Sequence, residues 1–369
     1  MSVHKILFIC GSLKPGKDGV GDYTRKLASQ LTHCGLEVAL VALYDKGIAA
    51  VITEIQTDQD ILLKTLRIPE SENNIKRYKL VQEFIDVQRP DIISLQYVPY
   101  SFNRKGVPLK LTGYLQNLKG HFKWHIMFHE LYIPVPFGLN KMYLISQLQI
   151  KVIKGLITCL KPIRIHTSNS YYSDLLTRIQ IDAKVLGLFS NIKGEPTQIL
   201  DELINFNTLT TAVYFASLPN ENLWNDQLAA YKRTLFEKSL LILVCGFRNA
   251  KTDKFVSFFS DSGFQIKYLE GLSSENLIEL FSKASFGVSR VPQRLIGKSG
   301  AAVAMLEQGL PLWVPIVENT NYHSEFRPEL CFTDLNQLLE DSSPTKIQVD
   351  RLSGITRQFI ADIGIKNIN

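Results

Sequence analysis

The sequence is poor in cysteine, and none of its cysteines is placed for chemistry. The five, Cys10, Cys34, Cys159, Cys245 and Cys331, are odd in number and no two stand at Cys-x-x-Cys spacing. That excludes a disulfide framework and a zinc site of the usual spacing. They are expected as small buried apolar residues in a reducing cytosol. Long apolar runs are missing too: none approaches the roughly 20 residues of a membrane span. The N-terminal MSVHKILFICGS has only a short apolar stretch, too short for a signal peptide and better read as a first strand. There is no short repeat and no low-complexity tract. With 45% hydrophobic and 21% charged residues, a disordered or collagen-like chain is excluded. A chain of 369 residues can instead hold two hydrophobic cores.

Acidic residues are scarce in one region. Residues 101–165 hold ten basic residues and a single acidic one, Glu130. Residues 1–200 carry 25 Lys and Arg against 16 Asp and Glu, net +9, whereas residues 201–369 carry 16 against 19, net −3, within an overall +6. This asymmetry points the first half toward an anionic partner: a membrane surface, an acidic substrate or nucleic acid. No nucleic-acid-binding motif accompanies the charge, so nucleic acid is the least favoured. The basic residues are interleaved with Tyr114, Phe122, Trp124 and Tyr143. A surface of that kind binds anionic lipid at roughly 1 kcal/mol per basic residue.

What is present is a regular alternation of strand-like and helix-like patterns. In the first half, strands are expected at 5–10, 38–43, 91–96, 124–129, 164–167 and 184–188, with helices at 20–34, 80–87, 108–118, 140–160 and 170–178. The pattern then restarts. Strands are expected at 211–216, 240–245, 265–269, 285–289 and 312–316, with helices at 222–238, 251–262, 274–283, 299–308 and 347–362. Repeated βα units imply mostly parallel sheets covered by helices. The expected architecture is therefore two tandem, doubly wound α/β domains facing a cleft. We divide it into residues 1–192, a linker 193–209, a second domain 210–345, and a C-terminal helix within 346–369 that packs back on the first domain. In such sheets ligands bind outside the carboxyl ends of the strands.

The loop after the first strand reads GSLKPGKDGVGDYTR (11–25). Gly11 to Lys17 matches GxxxxGK of a phosphate-binding P-loop, but Asp18 stands where Ser or Thr should bind Mg²⁺. The dinucleotide fingerprint GxGxxG is also unmatched. The loop does offer small residues at the head of a helix, where a ligand can approach backbone N–H groups.

From this loop onward, GVGDYTRKLASQLTHCGLEVALVAL (19–43) resembles the opening of GT-B glycosyltransferases of the retaining family 4 type. PDIISLQYVP (90–99), WHIMFHEL (124–131) and IHTSNSYYSDLL (165–176) resemble later units of the same N-terminal domain. KSLLILVCGF (238–247), YLEGLSSENLIELFSKASFGVSR (268–290) and AAVAMLEQGLPLWVP (301–315) resemble the C-terminal core. The resemblance implies two Rossmann-like domains, the first on the acceptor side and the second holding a nucleotide sugar. It implies a metal-independent hexosyltransferase acting with retention on a glycan or lipid-linked acceptor, cytoplasmic or peripheral at the inner membrane face. The nucleotide sugar would be a substrate, and no cofactor is expected.

By the same resemblance His129, with Gly19 and Gly21, lines the sugar and acceptor side. Arg294, Lys298, Ser299 and Gly300, at the head of a helix, hold the diphosphate, with Arg248 in support and Glu270 contacting the nucleotide. Cationic side chains and a helix start there would stabilise a leaving diphosphate electrostatically. The chain departs from the family where two glutamates with seven residues between them are usual: Ile296 and Ala304 occupy those positions, and Glu307 is displaced by three. Two other readings follow from these departures: a GT-B-like binding or activating subunit without catalysis, and a P-loop nucleotide hydrolase.

Overall fold

The computed structural model describes residues 4–365 apart from 59, 136, 137, 139, 203, 207, 236–238, 319–321, 323 and 342–345. The chain forms two compact units, Met1–Gly187 with Leu352–Asn369, and Leu188–Arg351.

The first unit comprises β1 (Lys5–Cys10), α1 (Gly19–His33), β2 (Glu37–Asp45), β3 (Ile52–Asp58), β4 (Ile61–Pro69), α2 (Asn74–Gln88), β5 (Ile92–Tyr97), α3 (Pro99–Phe102), α4 (Leu111–Gln116), β6 (Lys123–Phe128), α5 (Lys141–Leu160), β7 (Arg164–Thr167), α6 (Ser170–Thr177) and β8 (Lys184–Val185). Its eight strands run in the order β3-β4-β2-β1-β5-β6-β7-β8. β1 lies near the middle and is an unbroken apolar run because both its faces are buried. α1 starts under the Asp18 cap and stops at Gly35, whose φ of 85° ends the helix. All pairings are parallel except β3 with β4, a hairpin at the sheet edge. That hairpin went unread in the sequence, so the sheet carries one antiparallel strand that the expected parallel architecture lacks. The alternation of Ile52–Asp58, exposed and half-buried by turns, is its signature.

α5 is the one described helix long and apolar enough to cross a membrane. One face, with Val152, Ile153, Leu156 and Leu160, is buried in the unit. The other shows Met142, Leu144 and Leu148 with Lys141, Lys151 and Lys154 to solvent.

The second unit comprises β9 (Thr210–Ala216), α7 (Trp224–Thr234), β10 (Leu240–Gly246), α8 (Ala250–Asp261), β11 (Gln265–Leu269), α9 (Ser274–Lys283), β12 (Phe286–Val288), α10 (Gly300–Glu307), β13 (Leu312–Trp313), β14 (Cys331–Phe332) and α11 (Leu335–Glu340). The strand order is β11-β10-β9-β12-β13-β14, parallel throughout. The last strand and α11 are too short to stand out in the sequence. The end of the helix expected over 222–238 lies outside the described residues. One face of the sheet buries an aromatic cluster that includes Tyr214, Trp224, Tyr231, Phe255, Phe259 and Trp313. Residues 193–209 lie within this unit, and Leu200 and Ile204 are in its core.

The last helix, α12 (Arg351–Asp362), covers the first unit's sheet. Phe359 stacks on Phe8 at 6.0 Å and meets the His125 ring edge-on at 5.0 Å, and Gln358 donates to the Val185 carbonyl.

Candidate functional site

Both parallel sheets bring candidate residues to their carboxyl ends, where adjacent strands diverge and leave room for a ligand. In the first unit these are the loop after β1 and the residue after β6.

Gly21 sits where α1 crosses the loop. A Cβ there would lie 2.5 Å from the Ser12 carbonyl oxygen, so glycine is needed for the close approach. Gly19 is exposed, with nothing near its would-be Cβ. One amide in the loop and one at the start of α1 are occupied by carboxylates. Gly21 N–H donates to Asp18 Oδ1 at 2.7 Å, and Gly16 N–H donates to Asp22 Oδ1 at 3.0 Å. Asp22 also pairs with Arg25. Burial raises the Asp18 carboxyl above its usual range. A triphosphate would have to displace two carboxylates from the donors it needs, so the P-loop reading of residues 11–17 finds no support in this geometry.

His129 follows β6 and is buried. Its Nε2 donates to Gln96 Oε1 at 2.8 Å, and the Tyr23 ring meets it edge-on at 4.9 Å. Burial depresses its pKa to about 3, so the imidazole is neutral. No hydrogen bond among the described residues reaches Nδ1.

In the second unit the carboxyl ends of β9 and β10 bound a cavity of about 210 Å³. Its lining includes Ser217, Asn220, Lys251, Thr252, Tyr268 and Arg290. Both strand ends leave the ordinary backbone regions here: Ala216 has φ 66° and Gly246 φ 147°. A Cβ on Gly246 would lie 3.1 Å from the Ala216 carbonyl oxygen. A non-glycine residue held at positive φ is the kind of local strain that gathers at ligand sites. Asn249 caps α8, its Oδ1 accepting from the N–H groups of Lys251 at 2.9 Å and Thr252 at 3.1 Å. Lys251 Nζ reaches the Leu218 carbonyl at 3.2 Å. Arg248 beside the cavity pairs with Asp253 at 2.7 Å, and its guanidinium lies 5.5 Å from the Tyr268 ring. Glu270, exposed past β11, interacts electrostatically with both Arg248 and Tyr268.

The segment before α10 is arranged differently. Arg294 is held by Glu318 in a two-pronged pair at 2.5 and 2.9 Å. Its charge is therefore already balanced. Ser299 Oγ accepts from Ala302 N–H at 3.3 Å as the cap of α10, Gly300 is exposed, and Lys298 is half-buried with partners of its own. Ile296 and Ala304 are both core residues. Glu307 faces back toward the chain entering the unit, accepting from Ser190 N–H at 2.9 Å, and burial raises its pKa to about 7. Among the described residues no group of three His, Cys, Asp or Glu is placed to hold a metal ion.

No protein-family model matches the chain, and no curated protein matches it in sequence. Solved structures do match its fold. The sucrose-phosphate synthase of Thermosynechococcus elongatus superposes with TM-score 0.60 at 13% identity over 98% of this chain and 94% of that one. The UDP-forming α,α-trehalose-phosphate synthase of Burkholderia xenovorans, solved with glucose-6-phosphate, gives 0.60 at 9% over 98% and 99%. This is the GT-B fold. The UDP-GlcNAc 2-epimerase of Neisseria meningitidis, solved with UDP-GlcNAc, shares it at TM-score 0.52 and 11% identity over 98% and 100%. The sequence singles out His129, Arg248 and the α10 segment as candidates. Sequence reasoning passed over the cavity lined by Ser217, Asn220, Tyr268 and Arg290, although Tyr268 and Arg290 bound the 268–290 segment singled out above. Single polar residues at strand ends carry no periodicity, so only the fold collects them.

Proposed function

We propose that the protein transfers a sugar from a nucleoside diphosphate sugar to an acceptor hydroxyl. The observation that carries this reading is the cavity at the carboxyl ends of β9 and β10. It combines two cations, Lys251 and Arg290, with hydroxyl and amide groups and an aromatic ring. A diphosphate needs the cations, and a ribose or base needs the rest. Lys298, Ser299 and Gly300 at the start of α10 supply a second set of donors. We assign Arg294 to positioning that loop through Glu318 rather than to direct contact with the ligand.

On the acceptor side, neutral His129 accepts a hydrogen bond from a sugar hydroxyl, with the α1 loop beside it. Cationic groups stabilise the departing diphosphate in place of a metal. We place the reaction among retaining hexosyl transfers of the family 4 type. The acceptor would be a glycan precursor or a lipid-linked one reached from the inner membrane face. The exposed Leu144 and Leu148 between the lysines of α5 support the lipid-linked form.

The test is thermal stabilisation by a panel of nucleoside diphosphates and their sugars, with UDP first because the epimerase and trehalose-phosphate synthase neighbours are a UDP-GlcNAc-bound and a UDP-forming enzyme. A ligand that binds only the folded chain raises the melting temperature. We expect one diphosphate family to do so, and Lys251→Ala or Arg290→Ala to abolish the shift. No shift with any nucleotide would overturn the reading in favour of a binding subunit, which the apolar Ile296 and Ala304 would suit. A shift with Mg²⁺-ATP lost in Lys17→Ala would restore the hydrolase.

A further inference from the structure

A chain of hydrogen bonds links α12 to His129 through the buried middle of the first unit. Asp362 Oδ2 lies 3.0 Å from His166 Nε2, and His166 Nδ1 lies 2.9 Å from His125 Nε2. His125 Nδ1 lies 2.7 Å from Ser94 Oγ, which lies 2.7 Å from Gln96 Nε2, and Gln96 Oε1 lies 2.8 Å from His129 Nε2. Ser94, His125 and His166 are wholly buried and Gln96 almost so.

The direction of every link follows from its first member. Asp362 is held as a carboxylate by Lys184, whose Nζ is 2.6 Å from Oδ1, so it can only accept. His166 must then carry its proton on Nε2. Burial keeps His166 and His125 neutral, so His166 Nδ1 has a lone pair and must accept from His125 Nε2–H. His125 Nδ1 accepts in turn, and Ser94 must give its hydroxyl proton to it. The Ser94 oxygen is left to accept, which turns the Gln96 amide nitrogen toward it and the Gln96 oxygen toward His129. His129 must therefore donate from Nε2. A reversal anywhere would set two protons, or two lone pairs, against each other among buried groups.

We propose that Asp362 is a positioning residue for His129: through this one-way chain it holds His129 as the Nε2–H tautomer, so that Nδ1 can only accept, and the ligand group met there is a hydroxyl. A phosphate or carboxylate oxygen would face a lone pair and be turned away. The ligand half of this inference rests on the reading that His129 faces the sugar or acceptor. The tautomer half does not.

The experiment is two-bond ¹H–¹⁵N correlation of histidine-labelled protein, which reports which ring nitrogen of His129 carries hydrogen. In the wild type we expect hydrogen on Nε2 and a bare Nδ1. Asp362→Ala removes the fixed end of the chain, and hydrogen should then appear on Nδ1 in part of the population. Ser94→Ala cuts the chain at its middle, leaving α12 and the histidine pair in place, and should have the same effect. A folded Asp362→Ala and a folded Ser94→Ala that both keep His129 wholly as Nε2–H would overturn the proposal. The same two variants should weaken binding of the sugar moiety roughly three- to tenfold, the loss of about one hydrogen bond, and leave the bare nucleoside diphosphate unaffected. If the diphosphate binds neither wild type nor variants, the functional reading falls and the tautomer still decides this inference. If it binds, but sugar affinity is unchanged in variants whose tautomer has shifted, the hydroxyl assignment is wrong.

Discussion

In the first unit the parallel sheet buries polar and charged side chains, whereas in the second it buries aromatic rings. Asp45 is fully enclosed and accepts from Ser12 Oγ, Gly47 N–H, Leu13 N–H and Arg67 Nε. Arg77, 1% exposed, lies over the Tyr44 ring and donates to the carbonyls of Leu43, Pro69, Glu70 and Glu72. The histidine chain belongs to the same pattern. In the second unit one face of the sheet holds Trp224, Phe255, Phe258 and Phe259 in edge-on and tilted contacts at 4.7–5.6 Å, with the Tyr214 hydroxyl bonded to Tyr231 and Gln227 beside them. Ring packing is non-directional and tolerates repacking. A buried hydrogen-bond network fixes which nitrogen, which oxygen and which rotamer is used, and is costly when one member is lost.

Substitution at the two centres should separate them most. Arg77→Leu strands several buried carbonyls and should cost about 3–5 kcal/mol. Phe255→Leu nearly conserves volume and should cost about 1–1.5 kcal/mol. Denaturant midpoints at unchanged m-value read both, and equal costs would break the comparison.

The units should also answer pH with opposite slopes. His129, and with it His125 and His166, is neutral when folded but takes up a proton near pH 6.5 when unfolded. The unfolded chain then binds more protons, so stability of the first unit rises as pH goes from about 3 to about 6.5. Glu307 holds its proton up to about pH 7 when folded but loses it near 4.5 when unfolded. The folded chain then binds more protons, so stability of the second unit falls over that interval by about 3 kcal/mol. Amide hydrogen exchange resolved by unit would show the crossing, and Glu307→Gln should flatten the second slope alone.

Glycines at helix starts sharpen the contrast further. Gly21→Ala in the first unit drives a Cβ into the Ser12 carbonyl and should lower stability by about 1–3 kcal/mol. Gly300→Ala in the second meets open space and should be neutral or stabilise by up to about 1 kcal/mol. Melting temperatures suffice to check the pair. The smallest effect concerns the outer face of α5, where Lys151→Glu with Lys154→Glu should weaken sedimentation with phosphatidylserine vesicles several-fold and leave nucleotide binding in the second unit untouched. Unchanged sedimentation would remove the membrane from the proposed function.

The periodic elements were legible because each depends on its own residues. The strand expected at 265–269 and the helix at 274–283 coincide with β11 and α9. The hairpin of β3 and β4 was missed because its outer strand is half exposed and carries charge, so its alternation looks like a polar loop. The candidate site was less legible, for a different reason. Arg294 looked available to a diphosphate, but a glutamate 24 residues later holds it. Nothing local to Asp362, 233 residues after His129, hints that it closes a chain ending there. Partnerships of this kind are settled by the folded arrangement, and a single sequence shows only their separate members.

The route of the chain has a consequence for how the protein is made. The second unit is inserted between two pieces of the first, which opens with β1 and closes with α12. During synthesis residues 188–351 leave the ribosome before the helix that caps the earlier sheet exists. Until it emerges, Phe8 and His125 lack Phe359, and His166 lacks its carboxylate. A nascent chain with residue 350 just clear of the ribosome would thus carry a complete second unit and an uncapped first.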